Sequence, residues 1–248
     1  PDSPLLAARR KAIEEALLGA KYDEGDPGED TCCWLTENHQ VQYASSELLA
    51  GQLWPDTTFG CTGCNGTWHR ARAEKKLRRW LDWRLRFSFS EWNSSCYYDE
   101  DLAALLNLVE FAEDENIRES AKAVATLLAL HVAGNSWRGM TGASQGRAYL
   151  NEQIAPNETP MATLAQVCWG EGDVPARLST STLLLAAGDW RLPERVSAIG
   201  RTPELERREC HSLDADEGKT YDLDPNLEEN LDFYLGAGQA SHHLVTEL

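Results

Sequence analysis

Glu37, Asn38 and His39 follow Thr36 in succession, and the apolar pattern that begins at Val41 sets them just before a helix. Unpaired backbone N–H groups and partial positive charge at a helix N-terminus favour an anionic ligand group or a developing oxyanion. The plainer alternative is capping, with Thr36 or Asn38 as the N-cap and His39 merely exposed. A second cluster, from Ser90 to Asp99, carries Glu91, Trp92, Asn93, Tyr97 and Tyr98. These are the residue types of a carbohydrate cleft, where aromatic faces stack on sugar rings and amides bond hydroxyls. Its alternative is again a cap, with Asp99 or Ser95 capping and Trp92 and Tyr97 packed in the core. The third cluster, from Asn135 to Tyr149, combines Gly139, Gly142 and Gly146 with Arg138, Arg147 and Tyr149. Glycine lets a backbone approach a ligand, and Arg147 and Tyr149 supply a cation and a phenol. It lacks both G-x-G-x-x-G and a preceding strand, which excludes a dinucleotide site, and a flexible connector remains open.

Two carboxylates facing one cleft suit glycoside hydrolysis, one protonating the leaving oxygen and the other activating water or attacking directly, across roughly 5 to 10 Å. Glu37 and Glu91 are the candidates, each beginning a motif at the end of a loop. Metal chemistry finds no diagnostic spacing. Cys61-Thr62-Gly63-Cys64 has C-x2-C spacing, but Cys32 and Cys33 are adjacent and no H-x3-5-H follows, so a loop disulfide or plain thiols are expected rather than zinc. Arg207 to Ser212 and His242-His243 read as solvated loop and tail. No cofactor is called for. The seven cysteines, at 32, 33, 61, 64, 96, 168 and 210, accompany three Asn-x-Ser/Thr acceptors at Asn65, Asn93 and Asn157. Together they lean toward a secreted or extracytoplasmic setting in which some thiols pair and at least one is left free or bonded outside the chain. A modified Asn93 would be incompatible with a buried site.

The 248 residues carry 23 Lys+Arg against 40 Asp+Glu, a formal charge of −17, which repels nucleic-acid backbones and anionic lipid surfaces. A polyanionic substrate is disfavoured by the same field, although Arg147 and Arg138 could override it locally within a Debye length of about 8 Å. No stretch approaches the roughly 18 apolar residues of a membrane-spanning helix. Pro1 begins without a basic n-region or an apolar h-region, so the sequence reads as a soluble, processed or trimmed chain.

These clusters need elements to hold them. Apolar residues at helical spacing predict helices over Pro4 to Leu18, Val41 to Leu53, Trp68 to Phe87, Asp99 to Glu113 and Ile117 to Val132, the last two as an antiparallel hairpin. Shorter helices are expected at Ser179 to Ala187 and Pro193 to Ile199. Gly139 to Asp173 and Thr202 to Gly236 are rich in Gly, Pro, Asp, Asn and Glu, and read as long loops with little core of their own. The fold class is all-α, a single domain over 1–248, with a helical core over about 4–135 and a loop-rich remainder.

Glu37-Asn38-His39 with Ala44-Ser45-Ser46 and Leu48-Leu49-Ala50-Gly51-Gln52, Glu91-Trp92-Asn93-Ser94 with Tyr97-Tyr98, Leu105-Leu106-Asn107-Leu108 with Phe111-Ala112, and Gly146-Arg147-Ala148-Tyr149 resemble a group of secreted α/α-toroid carbohydrate-active proteins. The resemblance covers roughly residues 34 to 150, with weaker echoes in Ser179-Thr180-Ser181 and Tyr221 to Pro225. More distantly, Asn38-His39 is similar to the Asn-His of alginate-lyase-like and heparinase-like toroids, which cleave uronate polysaccharides by β-elimination. The resemblance implies that Asn38 neutralises the uronate carboxylate and that His39 or Tyr98 removes the neighbouring proton. Tyr97 or Tyr98 would then protonate the departing oxygen, while Arg147 holds the carboxylate. Trp92, Asn93 and Tyr149 would line the substrate, a polysaccharide or oligosaccharide. Glu37 departs from the lyase pattern, since a carboxylate beside a uronate-binding Asn is electrostatically awkward. A complete toroid needs about twelve helices, and seven can be read here. Beside lyase and hydrolase stands a third reading, a helical scaffold that binds glycan or protein without catalysis.

Overall fold

In α3 the residues Ala73, Leu77, Trp80, Leu81 and Arg84 are all buried and fall three and four apart, so one stripe of the helix faces inward. The same rule arranges Tyr98, Leu102, Leu105 and Val109 on α4, and Ile117, Ala121, Val124 and Leu128 on α5. The computed structural model describes residues 4–29, 33–34, 36–173, 179–203 and 206, with only the backbone described for 4–7. Among them run nine α-helices: α1 Pro4–Gly19, α2 Glu37–Leu53, α3 Gly66–Phe87, α4 Tyr98–Phe111, α5 Glu115–Asn135, α6 Leu150–Ile154, α7 Pro160–Trp169, α8 Thr180–Ala187 and α9 Glu194–Gly200. The fold is all-α, and no helix of the described residues is long and apolar enough to cross a membrane. The tail motifs at Arg207 to Ser212, Tyr221 to Pro225 and His242-His243, and nearly all of the expected loop from Thr202 to Gly236, lie outside the described residues.

One core joins α2 through α5 to α7, α8 and α9, with Leu48, Leu77, Leu105, Leu128, Met161 and Val196 among its members. Several helices have a side-chain cap at their start. Asn65 caps α3 by accepting from Trp68 N at 3.0 Å, and Asp114 caps α5 by accepting from Ile117 N at 2.9 Å, the bond that also lowers the Asp114 pKa. A smaller core of Tyr22, Ala50 and Phe59 sits where α1 and the 57–65 loop meet the C-terminal half of α2.

Three differences from the sequence reading have local causes. Helix α2 begins at Glu37, so Glu37, Asn38 and His39 form its first turn rather than its approach, with Thr36 at the N-cap position. The segment from Gly139 to Asp173, expected as loop, contains α6 and the ten-residue α7. Thr159 caps α7 at Ala162 N, Pro160 opens it and Gly170, at φ 76°, ends it. Ser136–Trp137 pairs antiparallel with Met140–Thr141 across Arg138 and Gly139, both at positive φ (51° and 78°), so a tight hairpin replaces the flexible connector. The expected thiol pairing does not occur among the described residues either: Cys33, Cys61, Cys64, Cys96 and Cys168 are all free.

Helices α2 and α3 approach closely at Gly51, where an added Cβ would lie 2.7 Å from Gly66 O and 2.9 Å from Arg70 N. Backbone cannot yield as a side-chain tip can. Gly51→Ala is therefore expected to lower stability by about 1–3 kcal/mol, measured as a shift in the denaturant midpoint, whereas Gly19→Ala, with nothing within 4 Å of its Cβ, should leave the midpoint unchanged or raised.

Candidate functional site

The Glu37 carboxylate is the anchor of the site. Its Oε2 accepts from Arg84 Nη1 and from Ser90 N at 2.7 Å, and its Oε1 accepts from Glu91 N at 2.8 Å. The Glu37 carbonyl takes the Trp80 indole N–H at 3.0 Å. One residue of α2 thus holds α3 and the chain that leaves it. That chain turns through Ser88 (φ 62°, ψ −152°) and Asn93 (φ 54°), left-handed conformations that cost a non-glycine residue roughly 1–3 kcal/mol each when sparsely populated. Between them Glu91 is turned inward and left 5% exposed.

The segment after α5 closes over this turn. Gly146 N donates to Trp92 O at 2.8 Å, Gln145 Oε1 accepts from Ser95 N and Oγ at 3.0 and 2.7 Å, and Asn93 Nδ2 donates to Ser144 O at 3.4 Å. Glycine is required at 146, because a Cβ there would sit 2.8 Å from the Trp92 ring. The fit delivers Arg147, whose Nη1 lies 3.3 Å from Glu91 Oε1 and whose Nη2 donates to the Tyr149 hydroxyl at 2.9 Å and toward the Tyr97 hydroxyl at 3.4 Å. The two phenols bond each other, and the guanidinium lies over both rings, 5.0 and 5.5 Å from their centroids. Tyr149 is 47% exposed, so this end of the site opens to solvent.

Beneath lie more acids. Glu100 Oε2 accepts from Asn38 Nδ2 at 2.5 Å and Gln42 Nε2 at 3.0 Å. Asp101 is 1% exposed, and neither of its oxygens meets a hydrogen-bond donor among the described residues. Burial, then repulsion from Glu37, pushes the Glu91 carboxyl up to about 7, with Arg147 opposing. Burial and the same neighbour raise Asp101 well above the ordinary carboxylate range, against the pull of Arg84. Burial and the bond to Tyr149 raise the Tyr97 phenol. The arrangement can hold a proton on a buried carboxyl at neutral pH beside a cation and an exposed aromatic platform.

Of the residues singled out in sequence, Glu37, Glu91, Tyr97, Arg147 and Tyr149 meet in one connected group, while Asn38 bonds Glu100, whose charge acts on Glu91. Trp92 is half-buried against Gly146. Asn93 is 8% exposed with its amide engaged by Ser144 and Asn135, which conflicts with its use as a glycan acceptor. The Tyr98 hydroxyl accepts from Asn93 N at 2.8 Å and faces His131 in the core, while His39 Nδ1 meets Thr36 Oγ1 at 2.5 Å beside Tyr43. Sequence reasoning missed Arg84, Glu100, Asp101 and Gln42. Arg84 and Asp101 did carry a signal, since each is a charge on the apolar stripe of its helix. Compared with protein-family models, curated proteins and solved structures, the chain has no significant match.

Arg84→Met removes the only side-chain cation bonded to Glu37 among the described residues while keeping the stem volume. The buried carboxylate loses its counter-charge, so a stability loss of about 3–5 kcal/mol is expected in denaturant unfolding.

Proposed function

We propose that this cleft cleaves glycosidic bonds, with Glu91 as the general acid of a glycoside hydrolysis. The observation that carries the reading is the buried Glu91 carboxyl, raised to about 7: a group protonated near neutral pH is matched to protonating a leaving oxygen. Glu100, partly exposed and held by the amides of Asn38 and Gln42, is better suited than Glu37 to the second carboxylate role, activating water or attacking the sugar carbon. Glu37 is buried, with both its oxygens already engaged by Arg84, Ser90 and Glu91. Tyr97 and Tyr149 offer ring faces to a sugar. The resemblance to toroid carbohydrate-active proteins supports the same substrate class.

Uronate elimination draws support from one feature, the Arg147 guanidinium joined to two phenols. In that reaction the substrate carboxylate would displace Glu91 from Arg147, and a tyrosine would move the proton. Glu100 and the chain's formal charge of −17 disfavour such a substrate, so a neutral or cationic glycan is the favoured ligand.

Incubation with neutral, cationic and uronate polysaccharides, following reducing ends and the ultraviolet absorbance of unsaturated uronates together, separates the outcomes. Reducing ends without new absorbance, reduced at least about 100-fold in Glu91→Gln, are expected. New absorbance would transfer the assignment to elimination, and silence in both channels would leave a glycan-binding scaffold.

A further inference from the structure

A second polar cluster lies on the far half of α2, independent of the Glu91 cleft. His69 is 0% exposed, stacked on Phe59 at 4.2 Å and flanked edge-on by Trp68 at 5.0 Å. Its Nδ1 is 2.6 Å from Glu47 Oε1, and its Nε2 is 2.7 Å from Thr62 Oγ1. Glu47 is also fully buried, and the same Oε1 accepts from Arg72 Nε at 2.8 Å and lies 2.6 Å from Arg72 Nη2. Arg72 is held in turn by Asp26, which accepts from its Nη1 and Nη2 at 2.5 and 2.9 Å.

These contacts assign the protons. An oxygen that already takes two guanidinium N–H groups carries no proton of its own, so the bond between Glu47 Oε1 and His69 Nδ1 is donated by the imidazole. In the ring form that carries its one proton on Nδ1, Nε2 presents a lone pair to which the Thr62 hydroxyl can donate. Cys64 N donates to Thr62 Oγ1 at 3.2 Å, which stabilises negative charge developing on that oxygen. Thr62 is only half-buried, at the tip of the loop that contains Gly63 at φ 73°. The enclosed imidazole therefore reaches solvent through this hydroxyl.

We infer that Thr62 is an acyl-accepting nucleophile, with His69 as its base and Glu47 as the carboxylate that orients the base, and that the site takes activated acyl esters. Thr62 Oγ bonds to the ester carbonyl carbon as its proton moves to His69 Nε2. The carbon–oxygen bond of the leaving group then breaks, and the departing oxygen takes the proton from Nε2, leaving an acyl-threonine and a free alcohol. Once the alcohol has left, the acyl group on Thr62 Oγ stands between solvent and Nε2, so deacylation is slow and the acyl group stays on the chain.

The test uses p-nitrophenyl acetate with the full chain, following nitrophenol release and then mapping the acetyl group by peptide mass spectrometry. The expected result is a burst of about one equivalent with little turnover, and an acetyl group on Thr62 that is absent when the chain is acetylated in denaturant. Thr62→Ser should keep the burst, whereas Thr62→Val and His69→Gln, checked for folding by circular dichroism, should slow it about 100-fold or more. Mapping on the unmodified chain decides the matter even if the His69 variant does not fold. Absence of a burst, or acetyl found only on lysine, on the amino terminus or on the neighbouring Cys61 and Cys64, overturns the inference.

Discussion

The Glu37 carboxylate is the constraint on which the site depends. A single buried anion accepts from Arg84 of α3 and from two successive backbone N–H groups, Ser90 and Glu91. Satisfied on both oxygens, it can be buried where an unpartnered carboxylate would be costly. Because one of its donors is the backbone of Glu91 itself, the Glu91 side chain is set close to the Glu37 carboxylate. The lengthened α2 is part of this, since only with Glu37 in the first turn does its side chain reach the end of α3. The upward push on the Glu91 carboxyl is then a consequence of architecture, since the same anchor sets the turn and supplies the repulsion.

The second half of the site comes from a different part of the chain. The hairpin at Ser136–Thr141 and the close approach of Gly146 to Trp92 bring Arg147 over Glu91. The two halves meet through the Arg147–Glu91 charge pair, through side-chain contacts such as Tyr97 with Tyr149 and Ser95 with Gln145, and through hydrogen bonds to loop backbone. Arg147 opposes the upward push on Glu91 without cancelling it. A carboxyl poised near neutrality needs that balance, since a stronger ion pair would leave it ionised and unable to donate. On the other half of α2, Glu47 is also buried and bonded to an arginine, but it faces an imidazole rather than a second acid, so the same helix supports two unlike proton arrangements.

The helical class and helices α2 to α5 were legible in the sequence because one buried stripe per helix leaves a strong periodic trace, and α1 was legible from its apolar spacing although none of its described side chains is buried. Helix α7 was equally readable from Thr159, Pro160 and Gly170, but the polar and glycine-rich residues around it obscured a short apolar run. Glu91, Tyr97, Arg147 and Tyr149 stood out by type. What could not be read was which polar side chains distant partners would take up: Glu37 is held by Arg84, 47 positions away, and Asn38 by Glu100, 62 positions away. Thr62, His69 and Glu47 left no local signal, because His69 and Glu47 are 22 residues apart and meet only when α2 and α3 pack.

The central claim is that Glu91 holds its proton at neutral pH, and its side-chain carboxyl carbon reports this directly. In a carbon-13 titration of the full chain, with the resonance assigned by its loss in Glu91→Gln, a midpoint near about 7 is predicted. A midpoint at the ordinary glutamate value of about 4.3 would contradict the account, because Glu91 would then be ionised wherever the enzyme reading needs it to donate.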